Sequence, residues 1–178
     1  MTTPLVHPGP PAKVRRDLVP ITWRERYVHV DRPTPLLELV ARVIEEDGGQ
    51  ARAGSVAIRD ARLDRFTYVV PAVPADGSSV AVWGVPREAA GPAEVQIGNI
   101  TVGVRDGEPF VHFHGVWRDA NGQVAAGHLL PETVLVSTGA VLQFRLSTEI
   151  SWSVLHDAEI NLPVFHLSKV QISEEHAR

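Results

Sequence analysis

Three histidines lie close enough along the chain, and in a regular enough pattern, to hold one metal ion together. His112 and His114 fall in Phe110-Val111-His112-Phe113-His114-Gly115-Val116-Trp117, and His128 in Gly127-His128-Leu129-Leu130. Successive side chains on a β-strand point to opposite faces, so His112 and His114 share one face while Val111 and Phe113 take the other. His128 joins them if Ala120-Asn121-Gly122 is a three-residue hairpin loop. A type I turn closed by Gly122 in the left-handed region pairs Asp119 with Gln123 and sets His114 opposite His128. Directly opposed Cβ atoms are about 5 Å apart, which lets both rings reach one ion at about 2.0 to 2.1 Å. A two- or four-residue loop without a bulge would turn His128 to the wrong face.

Three neutral imidazoles with an open fourth position describe the catalytic class of zinc site, in which a bound water is acidified towards neutral pH. The small residues Gly115, Ala125, Ala126 and Gly127 are expected to leave room above the strands for an ion and a ligand. The plain alternative is a set of half-buried histidines hydrogen-bonded on a β-surface. An HxH pair alone favours that alternative, because alternation produces such pairs easily; the third histidine in a matching register favours the metal. With no cysteine in the chain, thiolate ligands and disulfides are excluded. Imidazole ligands suit zinc, nickel, iron and copper alike, and a divalent ion, zinc first, is the expected cofactor. Glu94, opening the strand Glu94-Val95-Gln96-Ile97, is a candidate fourth ligand or proton-transfer group, against the simpler reading of a solvated strand-end glutamate. Asp119 reads as a turn residue. His29, His156 and His166 each stand alone on β-like segments. Trp83, Trp117 and Trp152 could line a pocket, but a β core or subunit interface accounts for them equally.

The elements that must position these residues are legible in outline. Residues 1–26 read as a surface arm, broken by Pro4, Pro8, Pro10, Pro11 and Pro20 and made basic by Lys13, Arg15, Arg16, Arg24 and Arg26. Tyr27 to Val30 reads as a short strand. A helix over about 35–47 follows, with Thr34 as N-cap, Pro35 in the first helical position, and Leu36, Leu37, Val40, Val43 and Ile44 at helical spacing; Gly48 and Gly49 end it. Beyond Ser55 the chain is mostly β: Val56 to Ile58, Arg62 to Val70, Ser79 to Val85, Ala93 to Gly103, Pro109 to Trp117, Gln123 to Leu130 and Val134 to Leu146. One helix on a many-stranded sheet places the fold in the α+β class. One domain over 27–172 is expected, with residues 173–178 as a C-terminal tail.

Composition narrows the function classes. At 178 residues, 44% hydrophobic and 21% charged, the chain has the makings of one well-cored globular domain. No run of about 18 apolar residues and no export signal appear, so a cytoplasmic location without membrane contact is expected. A formal net charge of −4 is a poor footprint for a protein that grips phosphate backbones. No Gly-rich phosphate loop and no Gly-x-Ser-x-Gly elbow is present.

The segments Gly98-Asn99-Ile100, Asp106-Gly107-Glu108-Pro109-Phe110-Val111-His112-Phe113-His114, Asp119-Ala120-Asn121-Gly122, Gly127-His128-Leu129-Leu130 and Asp157-Ala158-Glu159-Ile160-Asn161-Leu162-Pro163 resemble the plants-and-prokaryotes-conserved (PPC) domain, from about Tyr27 to Ile172. The resemblance implies a strongly bent, mainly antiparallel sheet with one helix, assembled as a homotrimer. It also implies the metal role for His112, His114 and His128, since acetolactate decarboxylase, a similar fold, holds zinc with a comparable pattern. That enzyme's other catalytic groups find no secure match here, so whether the chain is an enzyme stays open; a small anionic ligand or a lyase- or hydrolase-like site is the expectation. Plant members join the domain to AT-hooks and act on DNA, and bacterial members carry a DNA-binding label. This chain has no Arg-Gly-Arg-Pro hook, which removes the minor-groove contacts that such a role would use.

Overall fold

The computed structural model describes residues 6–13 and 18–170. The expected tail, 173–178, lies outside them, as do Pro4, Arg15 and Arg16 of the arm. In chain order the elements are β1 (Arg24–His29), β2 (Thr34–Pro35), α1 (Leu36–Glu46), β3 (Ala53–Ile58), β4 (Ala61–Arg65), β5 (Thr67–Val69), β6 (Pro71–Ala72), β7 (Val82–Trp83), β8 (Arg87–Glu88), β9 (Ala93–Arg105), β10 (Glu108–Arg118), β11 (Val124–Leu129), a 3-10 turn (Pro131–Thr133), β12 (Leu135–Val136), β13 (Val141–Ser147), β14 (Ile150–Asp157) and β15 (Leu162–Lys169). Among the described residues, one α-helix on a largely antiparallel sheet makes the fold α+β.

The main path of the sheet runs β1-β13-β3-β9-β10-β11-β5-β8, with β6 and β7 forming a separate two-stranded flap. The strong bend implied by the resemblance is not found: the sheet is open, with β1 and β8 at its ends, and neither closed nor strongly curled. Curling a sheet takes bulges or kinks. The long β9–β10 ladder has a single register shift, at Val116/Trp117.

Burial along β10 alternates from Phe110 to Arg118. Val111, Phe113 and Trp117 face the core, and His112, His114 and Val116 face outward. The core face is covered by α1 through Leu36, Leu39, Val40, Val43 and Ile44, which join Val56, Ile58, Ile100, Phe113, Leu142 and Phe144 in one cluster. Burying each such side chain contributes about 1.5 to 3 kcal/mol, which far outweighs the helix's own propensity. Leu39 rather than Leu37 completes the stripe; Leu37 is left exposed. Pro35, not Thr34, is the N-cap residue, and no side chain caps the helix. Thr34 belongs to β2 and donates its hydroxyl to the Arg32 carbonyl at 2.8 Å. Gly48 and Gly49 end the helix with φ of 96° and 71°.

The expected strand Arg62 to Val70 is broken at Phe66. Leu63, Phe66 and Val69 are all buried, a spacing that no unbroken strand can offer to one face. Of Ser79 to Val85 only Val82–Trp83 is strand. The first strand begins at Arg24, inside the stretch read as arm. The β14–β15 hairpin pairs from Ile150↔Lys169 to Asp157↔Leu162. Its turn holds the arm: Gly9 N–H donates to the Glu159 carbonyl at 2.9 Å and Ala12 N–H to the Glu159 carboxylate at 2.7 Å. His7 Nδ1 lies 2.7 Å from the same carboxylate.

Candidate metal centre

The β10–β11 hairpin has the geometry its sequence predicts. Asp119 N–H donates to the Gln123 carbonyl at 2.9 Å, and Gly122 takes a φ of 78°. The Asp119 carboxylate accepts from the amides of Asn121 and Gln123, both at 2.9 Å, which makes it the turn residue it resembled. His114 stands opposite His128 in the resulting register.

The three rings meet on the outer face of the sheet. Ring centroids are 4.6 Å apart for His112 and His114, 4.4 Å for His112 and His128, and 5.4 Å for His114 and His128. The Nε2 atoms of His112 and His114 lie 3.0 Å apart. One ligand nitrogen from each ring lies within 4.8 Å of the other two. Nitrogens bound at about 2.0 to 2.1 Å around a tetrahedral ion sit about 3.3 Å apart, so the cluster brackets that spacing. Nδ1 of His128 is buried with no hydrogen-bond partner among the described residues, a polar requirement left unmet.

Electrostatics suits ligation, which needs the neutral imidazole. Burial draws His112 down from 6.5 to about 4, helped by the charges of His128, His114 and Arg105. Burial also draws His128 down to about 4, with His114 assisting and Glu132 opposing. His114, the most open of the three, is lowered as well, by burial. The donor set, its spacing and its protonation state all fit a divalent ion.

Two flaps from distant parts of the chain build the surroundings. Trp83 of β7 stacks on His128 at 4.7 Å between centroids and 21° between planes. Phe165 of β15 meets His112 edge-on at 6.1 Å. Sequence reasoning weighed Trp83 as a pocket residue but had no signal for Phe165, Arg105 or Glu132, which reach the site only through tertiary packing. Glu94 is not brought to the cluster: it pairs with Arg118 near the hairpin turn and its carboxylate accepts from Arg62 at 2.9 Å. The room above the histidines also has another origin than expected. Gly115 and Gly127 face the opposite side, where an added Cβ would meet Leu129 in the first case and the Val69 carbonyl in the second. Ala126, opposite Val116, is the small residue on the histidine face. Trp117 is core, edge-on to Phe66 at 5.0 Å. Of the lone histidines, His29 is exposed, His166 is half-buried on β15, and His156 Nε2 bonds Asn161 Oδ1 at 2.8 Å.

No protein-family model and no curated protein sequence matches the chain. Solved structures share its fold. A metal-containing protein from Archaeoglobus fulgidus aligns with a TM-score of 0.62 at 19% identity, covering 85% of this chain and 99% of that one. A plant- and prokaryote-conserved (PPC) protein from Pyrococcus horikoshii aligns at 0.62 and 16%, covering 87% and 100%. A protein from Ralstonia eutropha JMP134 with a provisional DNA-binding label aligns at 0.57 and 16%, covering 81% and 90%. The chain therefore has a PPC-like fold.

Proposed function

We propose that this PPC-like chain binds a divalent metal ion, zinc first, through His112, His114 and His128, and presents it to a small anionic or carbonyl-bearing ligand. The observation that carries the reading is the convergence of three ring nitrogens, from two adjacent strands, within 4.8 Å. The metal-containing Archaeoglobus protein of the same fold supports it. A bound ion would supply Lewis acidity or an acidified water at the open position. The chain's own contribution is to hold the rings neutral and convergent, with Trp83 and Phe165 limiting water around them. A homotrimer is part of the proposal, and the mass of the protein in solution tests it.

Metal content is the direct test of the site. Purified protein is expected to carry about one ion per three-histidine site, and His112→Ala and His128→Ala to lose it. His156→Ala, at an exposed histidine outside the cluster, serves as the control that keeps it. Undiminished metal in His112→Ala and His128→Ala would remove the site.

The Ralstonia structure with its DNA-binding label gives a second reading some support. Phosphate contacts produce affinity that falls steeply with salt. With a formal net charge of −4 and no hook, the expected result of an anisotropy titration on duplex DNA is no salt-steep binding, even at low salt. Tight, salt-sensitive binding would restore the DNA reading.

A further inference from the structure

Beside the histidines the outer face is hollowed into a cavity of about 750 Å³. Small-molecule sites commonly span about 300 to 1,000 Å³, with apolar walls and a few placed polar groups. This cavity has that make-up. Trp83, Phe110 and Phe165 supply aromatic walls, and beside the neutral His112 and His128 its charged lining is Arg105 and Glu132. The Arg105 guanidinium carbon lies 3.9 Å from the centroid of the Phe110 ring. Among the described residues Arg105 forms no ion pair, unlike Arg24, Arg26, Arg62 and Arg145. A guanidinium stacked on a ring has its flat face occupied and its donor edge free, the arrangement that grips a carboxylate with two parallel hydrogen bonds. Glu132 adds a like charge that disfavours a second carboxylate, so a monoanion is preferred to a dianion.

We infer that this cavity binds a small monocarboxylate with an apolar body, the carboxylate on Arg105 and the body against Trp83, Phe110 and Phe165. The inference goes beyond the metal reading and stands on residues outside the histidine cluster.

Naphthalene-2-carboxylate and its neutral carboxamide are suitable probes, followed by calorimetry and by quenching of Trp83 fluorescence, with Trp83→Phe to assign the signal. Each is titrated into the full chain stripped with chelator and again after zinc loading. The expected result is saturable binding of the carboxylate in both states, at least about tenfold tighter than the carboxamide. Arg105→Gln should erase that preference, leave carboxamide affinity unchanged and leave zinc content unchanged. Arg105→Lys, which keeps the charge but loses the fork, should recover only part of it. Carboxylate binding that requires zinc and ignores Arg105→Gln would overturn the inference while sustaining the metal site. Absence of binding alongside normal zinc content would overturn it too. So would loss of self-association in Arg105→Gln without any ligand effect, which would make the cavity wall a contact between copies of the chain. Failure of zinc binding with the Arg105-dependent preference intact would overturn the metal reading alone.

Discussion

His112 and His128 are shielded from water by burial, with His128 and His114 adding to the effect at His112 and His114 at His128, so each resists protonation inside the folded chain. Their folded values of about 4 lie below the ordinary 6.5, which means the unfolded chain binds more protons between those limits. The stability they contribute is therefore full above pH 6.5 and is lost as pH falls towards 4. Denaturant midpoints of the metal-free protein should decline across that window, and His128→Leu should flatten the decline. A wild-type profile flat from pH 7 to 4 would contradict the shielding. At this scale the three convergent histidines were legible because a period of two is a rigid geometric rule. Arg105, Glu132 and Phe165 were not, because nothing local in their segments records which distant ring they will meet.

The β10–β11 hairpin carries the cluster as an element, and its loop sets the register. Gly122 holds a φ of 78° that side chains with a Cβ adopt only at a cost. Nothing lies within 4 Å of the position an added Cβ would take there, so the penalty is backbone strain alone. Gly122→Ala should cost about 1 kcal/mol in chemical denaturation and leave metal content intact. Deleting Asn121 should do the reverse to the site: a two-residue loop shifts the pairing by one and turns His128 away, abolishing metal binding while strand content by circular dichroism persists. The hairpin could be read in advance because Asp119 and Gly122 are local turn chemistry. The helix was read from its 3.6-residue period, yet that period could not say whether Leu37 or Leu39 closes the stripe. The break at Phe66 was invisible for a related reason, since Leu63 to Val70 offers apolar residues to both faces.

Across the whole molecule, the sheet's outer face becomes a site only because segments far apart in the chain fold over it. The β6–β7 flap brings Trp83 to His128 and the β14–β15 hairpin brings Phe165 to His112, one from before the histidine segment in the sequence and one from after it. The far side of the second hairpin is tied in turn to the arm, through the buried Glu159 carboxylate. Glu159→Ala should loosen that tie, and trypsin should cut after Lys13 severalfold faster than in the wild type, with the zinc content unaltered. Equal cleavage rates would mean the arm is held by other contacts. Fold class followed from the order of apolar runs, whereas this docking did not, because proline-rich stretches carry no periodicity that points to a partner.

That tie also has a direction in time. Ala12 leaves the ribosome 147 residues ahead of the carboxylate that receives its amide. Until Glu159 is made that amide lacks its partner, and the stretch it finally joins follows the whole β10–β11 hairpin in the order of synthesis.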